Sequence, residues 1–183
     1  MRALLAGLAT AFALAIAGCS DEGPVEAPKP FALTVEAIGR YCGMNVLEHP
    51  GPKGQILLGK IPEPIWFSSA RDAVAFTMLP EEPKNIASIY VSDMAKAESW
   101  EKPGAENWVE ARQAFYVIGS AMRGGMGAPE TVPFSTKAAA AGFAEKNGGQ
   151  VVSFVDIPRE YVLGTGETPA DAGLLPETAD STQ

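Results

Sequence analysis

The sequence has little of what catalysis and zinc binding usually require. Among 183 residues there is one histidine, His49, and there are two cysteines, Cys19 and Cys42. A lone imidazole supports no Ser-His-Asp set that can be traced in the chain. It also falls well short of a zinc site, which normally takes four ligands. Cationic residues are scarce, 14 Lys and Arg against 22 Asp and Glu, for a formal charge of −8. That balance excludes the basic patch of a nucleic-acid binder. It equally excludes adhesion to anionic lipid by charge. The acidic residues are scattered, and none pairs into an acid-base motif. The longest apolar run, Ala3 to Ala15, is too short to span a bilayer. Gly124-Gly125 lacks the preceding strand and following helix of a phosphate loop.

What is present begins at the N-terminus. Arg2 supplies a positive start, and Ala3 to Ala15 has the length of a signal h-region. The run ends in Ile16-Ala17-Gly18-Cys19, which resembles the lipobox of bacterial lipoproteins. This resemblance implies that residues 1–18 are a signal peptide, that the Cys19 thiol carries diacylglycerol, and that its new amine is acylated. An ordinary signal with a chance cysteine is the alternative. One acyl chain anchors only marginally and several anchor stably. The expected protein therefore sits on a membrane without spanning it. Residues 19–30, with Pro24, Pro28, Pro30 and several acids, read as an extended tether.

If lipid consumes Cys19, then Cys42 has no partner in the chain. Paired cysteines in an exported protein usually form a disulfide. A lone thiol there is open to oxidation. Cys42-Gly43-Met44 is followed by His49, so thiol, thioether and imidazole fall within eight residues. Thiolate with thioether selects soft Cu(I) over zinc and oxygen-loving ions. A buried Cys and Met filling a core at a strand end is the competing reading. On an extended stretch the two side chains share a face. On a turn, Gly43 lets both sulfurs meet one ion.

Hydrophobic periodicity predicts an α+β fold of two similar ββαβ halves, small sheets each with one short helix. Phe31 to Ile38 reads as a strand, as do Gln55 to Gly59, Ile65 to Ser68 and Ile86 to Val91. Ser69-Ala-Arg-Asp72 reads as a cap opening a helix that Pro80 ends. The plan then repeats. Ala114 to Ile118 is a strand, Val132 to Phe134 leads into an alanine-rich helix, and Gln150 to Val155 closes the set. Phe67, Ser68, Ser69, Ala73 and Phe76 fall on Phe134, Ser135, Thr136, Ala140 and Phe143 at one constant offset. The expected divisions are a first half over 31–95, a connector over 96–110, a second half over 111–163, and a disordered acidic tail over 164–183.

Further ligand candidates are His49 and Met126. His49 precedes a Pro-Gly-Pro turn; it reads either as a nitrogen donor to Cu(I) or as a surface residue. Met126 lies in the glycine-rich loop Ser120 to Gly127, where a thioether has little to pack against. Met122 is a weaker candidate in the same loop, and Met78 and Met94 read as packing residues.

These residues resemble the NosL family. The likeness runs through the lipobox ending in Cys19, Tyr41-Cys-Gly-Met44 before a His-Pro segment, and Trp66-Phe67-Ser68 before a helix. It continues through Trp108 to Val117, Met126-Gly127, Phe134 before the second helix, and Gly148-Gly149 before the last strand. The resemblance implies paired ββαβ halves and a lipoprotein copper chaperone, not an enzyme. It implies Cu(I) bound on the periplasmic side of an envelope membrane. It also implies delivery to the membrane-associated proteins that load the copper-sulfide centre of nitrous oxide reductase. By position, Cys42 and Met44 are the implied primary ligands, with Met126 and His49 as candidates for a third. Family members often carry proline before that methionine; here the residue is Gly125. Two rivals stand beside this reading: an extracytoplasmic thiol enzyme using Cys42 as nucleophile and His49 as base, and a structural envelope lipoprotein that binds no metal.

Overall fold

The computed structural model describes residues 27–164. The expected signal peptide, the lipidated Cys19, the tether up to residue 26 and the acidic tail from residue 165 lie outside them. Among the described residues no helix is long and apolar enough to cross a membrane.

The first half contains β1 (Gly54–Leu58), β2 (Ile65–Phe67), α1 (Ala70–Met78) and β3 (Ile86–Ser92). β4 (Trp108–Glu110) completes its antiparallel sheet, in the order β2-β1-β3-β4. The second half contains β5 (Phe115–Ile118), β6 (Val132–Phe134), α2 (Lys137–Asn147) and β7 (Gln150–Ser153). Its antiparallel sheet has the order β6-β5-β7, which repeats β2-β1-β3. The helices open by the same device. Ser69 accepts from the Asp72 amide and Thr136 from the Ala139 amide, each satisfying an N–H that helix geometry leaves free.

Alternation along β1 and β5 explains the layers, because successive strand residues face opposite sides. Ile56 and Leu58 turn towards α1 and the main core with Phe67, Phe76 and Ile89. Tyr116 and Ile118 of β5 join that same core. Val117 turns the other way, into a smaller cluster with Phe134, Ala140 and Phe143 under α2. The second sheet is thus covered on both faces, by α2 on one and by the first half on the other. The last described element is α3 (Arg159–Leu163), whose Tyr161 and Val162 are buried in the first half's core.

Four expectations need correction. Phe31 to Ile38 is not a strand; within it only Ile38 makes a β-bridge, to Asn45. The backbone groups of this segment are taken elsewhere. Both the amide and the carbonyl of Phe31 bond the Gln55 side chain, at 2.8 and 2.9 Å, and the Leu33 amide bonds the Ala105 carbonyl. The segment therefore lies across the outer face of the first sheet. The connector read over 96–110 ends in a strand, β4, because its last residues pair with the free edge of β3. The closing strand read over Gln150 to Val155 stops at Ser153, where Phe154–Asp156 turns into a 3-10 helix. No helix was expected at 159–163; its signal is a short apolar pair, Tyr161 and Val162, too brief to show a helical period.

Candidate metal centre

Cys42 and Met44 sit on a tight turn between Ile38 and Asn45, which bridge each other antiparallel. Two backbone bonds hold the turn: Gly43 N–H to the Gly39 carbonyl and Gly39 N–H to the Met44 carbonyl, both 2.9 Å. Gly43 adopts φ +67°, a left-handed conformation that side chains rarely tolerate. This is the turn geometry, not the extended one, so Cys42 and Met44 share one reversed segment. The turn is fastened to the rest of the half by its own flanks. The Arg40 amide bonds the Trp66 carbonyl. The Arg40 guanidinium and the Tyr41 hydroxyl both donate to the buried carboxylate of Glu82, at 3.1 Å each. The Tyr41 ring tilts against Phe67.

Cys42 is partly exposed and has no disulfide partner among the described residues, and Met44 keeps 40% of its surface open. Neither fills a core. The thiol faces the Met44 carbonyl at 3.9 Å.

His49 belongs to a different turn, after the 3-10 helix Val46–Glu48. Its Nδ1 meets the Gly125 carbonyl at 3.3 Å. A carbonyl only accepts, so Nδ1 carries the proton in the neutral ring and Nε2 holds the lone pair. Nε2 is closed from solvent and has no hydrogen-bond partner among the described residues. A buried lone pair without a donor is what a metal-ligating imidazole presents, its other nitrogen oriented by a backbone oxygen.

Gly125 makes this contact possible. A β-carbon there would lie 2.5 Å from the His49 β-carbon and 3.3 Å from the Pro50 carbonyl oxygen. The space that a side chain at residue 125 would take is filled by His49. Met126 follows immediately and is 53% exposed at the loop's tip. The structure therefore groups the candidates in two pairs, Cys42 with Met44 on one turn and His49 with the Met126 loop on another.

Lys53 lies between the pairs, and sequence reasoning passed it over as part of a turn. It is almost fully buried. Its ammonium donates to the carbonyls of His49, Pro50 (3.0 Å) and Ser68 (3.5 Å). Burial pushes its pKa down to about 8, against the pull of the Glu130 and Cys42 charges. Glu130 is also fully buried. Its Oε1 accepts from the amides of Arg71, in the first turn of α1, and Thr131, at 2.8 and 2.9 Å. Burial lifts its pKa to about 7, opposed mainly by the Arg71 amide bond. A carboxylate at a helix N-terminus is favoured by the exposed amides there. Glu130 thereby ties the second half to the first half's helix just behind the site. Two of the Lys53 partners, His49 and Pro50, belong to its own turn, but Ser68 and the Arg71 amide that meets Glu130 come from elsewhere in the chain and leave no local pattern.

Two further observations bear on the chemistry. Among the described residues no group of three or more His, Cys, Asp and Glu is placed to hold a metal ion. The available donors are therefore mainly sulfur, which suits a soft ion. The thiol and the imidazole are each turned to a separate carbonyl, not to one another. A nucleophile and its base need mutual hydrogen-bond reach, so this geometry disfavours the thiol-enzyme alternative.

Comparison with known proteins agrees with the architecture. The family model described as NosL matches residues 30–162. The chain is 46% identical over 181 residues to the copper-binding lipoprotein NosL of Achromobacter cycloclastes, covering 98% of this chain and 92% of that one. It is 31% identical over 151 residues to the copper-binding lipoprotein NosL of Stutzerimonas stutzeri, covering 82% and 77%. The crystal structure of the copper chaperone NosL from Shewanella denitrificans superposes with a TM-score of 0.67 at 33% identity, over 72% of this chain and 96% of that one. These relatives are named for binding copper and not for catalysis. With its paired sheets, its sulfur-bearing turn and a match across nearly the whole described chain, this protein belongs to the NosL family.

Proposed function

We propose that the protein is a lipid-anchored carrier of Cu(I), facing the periplasm, that surrenders its ion to the membrane-associated proteins assembling the copper-sulfide centre of nitrous oxide reductase. The observation that carries this reading is the Cys42-Gly43-Met44 turn: a partly exposed cysteine and an exposed methionine on one reversed segment, neither of them in a core cluster. Cys42 supplies the thiolate and Met44 the first thioether. Met126 and His49 are the candidates for a third ligand, and each has what that role needs, one an exposed sulfur and the other an unpartnered nitrogen. Copper here is cargo. Two or three soft ligands at a surface hold the ion yet leave room for an incoming donor. The relatives' names, copper-binding lipoprotein and copper chaperone, support the same reading. Cys19, at the end of the lipobox-like run, is the proposed point of acylation.

Competition with a Cu(I) chelator under anaerobic, reducing conditions tests the assignment. Outer-shell changes at metal sites typically cost ~10–100-fold in affinity. Cys42→Ser removes a direct ligand and is expected to exceed that range, with Met44→Leu inside it. Met126→Leu and His49→Gln then identify the third donor by which of them weakens binding. Unaltered affinity in Cys42→Ser refutes the proposal.

A further inference from the structure

The end of the first sheet remote from the metal turn carries an apolar groove that the site does not use. Leu57, Leu58 and Ala87 form its floor, and Pro28, Phe31 and Ile61 are at its margins, around an open cavity of about 590 Å³. Two large apolar side chains there are substantially exposed, Phe31 at 44% and Ile61 at 47%. Lys60 stands beside Ile61 at the tip of the β1–β2 connection. Pro28 is both a wall of the groove and nearly the first described residue. It is pinned there because its carbonyl accepts from Ser88 (3.1 Å) and Tyr90 (2.9 Å). The described residues therefore begin at this groove, and Cys19 lies nine residues earlier in sequence (28 − 19). Nine residues reach at most roughly 30 Å.

We infer that this face docks on the phospholipid bilayer that holds the anchor, with Ile61 and Phe31 entering the interface. The inference rests on the proposed acylation of Cys19. With a net charge of −8 the chain is not drawn to anionic lipid, so the contact is apolar. Lys60 extends its ammonium towards phosphate while its stem lies on the apolar surface. Two half-exposed side chains bind a membrane feebly from solution. A short tether changes that, because it holds the patch at an effective concentration on the order of millimolar. The docked orientation has a functional result. β1 runs from Gly54, next to Lys53, to Leu58 in the groove, so the four steps between them separate the two ends by roughly 13 Å. Seating the groove on lipid turns the Cys42 and Met126 loops away from the bilayer, where a partner protein can reach them.

Amide hydrogen exchange on the lipidated full-length protein bound to phosphatidylcholine vesicles tests this, with the non-acylated Cys19→Ser protein plus vesicles as reference. The expected result is slowed exchange over residues 59–63 and 28–32 in the anchored protein, unchanged by high salt or by added phosphatidylglycerol. In Ile61→Asp that protection is lost while the protein still sediments with vesicles. Sedimentation without any protection overturns the docking and leaves the anchor intact. Failure of the wild-type protein to sediment, with no acyl mass on the N-terminal peptide, overturns both. Protection of the same amides in the Cys19→Ser protein as its concentration rises assigns the groove to a second copy of the chain and overturns the docking.

Discussion

The two halves share a plan but are buried very differently. In α1, Ala70, Arg71, Ala73, Val74, Ala75 and Phe76 are all buried, whereas α2 buries Ala140 alone. All five residues of β1 are buried, while β7 is half-open along its length. The reason is placement. α1 lies between its own sheet and groups from the second half, including α3 and β6, whereas α2 covers an outer face. The better-packed half presents the Cys42-Gly43-Met44 turn. The thinner half contributes a glycine loop and the carboxylate that fastens it. The more deeply buried half thus carries Cys42, and the more open one brings the Met126 loop against His49.

Substitutions can break this contrast or sharpen it. The largest effect is expected from equivalent phenylalanines. Phe76→Ala should cost about 3–5 kcal/mol by denaturant unfolding, the range for emptying a fully buried aromatic site. Phe143→Ala, at the matching position in α2 but only partly buried, should cost clearly less. Equal losses would show that the halves are equally packed in solution.

Next in size is the pH response of Glu130. Burial raises its folded pKa to about 7 from an ordinary 4.5. Between those values the folded protein holds a proton that the unfolded chain has released. Its contribution to stability therefore falls as pH rises from 4.5 to 7, and the penalty is complete above 7. Unfolding free energies measured across that window should show the fall in the wild type and a flatter profile in Glu130→Gln. Parallel profiles would place the ionisation elsewhere.

Gly125→Ala should produce a smaller change centred on the loops. The new β-carbon collides with that of His49, so the ring must shift. The expected signature is a displaced His49 imidazole resonance with stability changed by about 1–3 kcal/mol, as for overpacking. If His49 is the third donor, Cu(I) affinity falls with it; if Met126 is, affinity changes little. The smallest expected effects are at the caps, where Ser69→Ala and Thr136→Ala should each cost about 1 kcal/mol. Their similarity would show that local capping is independent of how deeply each helix is buried.

The repeat was legible because both halves rely on local signals. Ser69 and Thr136 are followed by alanine-rich helices, and Phe67 and Phe134 end the strands before them. The sulfur turn was legible because Cys-Gly-Met is contiguous. Other features depend on contacts that leave no local trace. Phe31 to Ile38 has the alternation of a strand, yet the Gln55 amide takes its first backbone groups and the ladder never forms. Lys53 sits in a proline-glycine turn that reads as solvent-exposed, and only the fold surrounds it with carbonyls. Glu130 looks like one acid among many until the Arg71 amide meets it.

Tyr161 has a consequence for how the molecule is made. Its hydroxyl donates to the Glu130 carbonyl and accepts from the Gly119 amide, and its ring lies in the core of the half that begins the fold. A nascent chain stopped before this residue leaves a hole in the core against the first sheet and loosens the Gly119 to Glu130 segment. The late helix α3 therefore completes the support of turns laid down much earlier, so a copy lacking Tyr161 should leave the Gly119 to Glu130 loop unsettled.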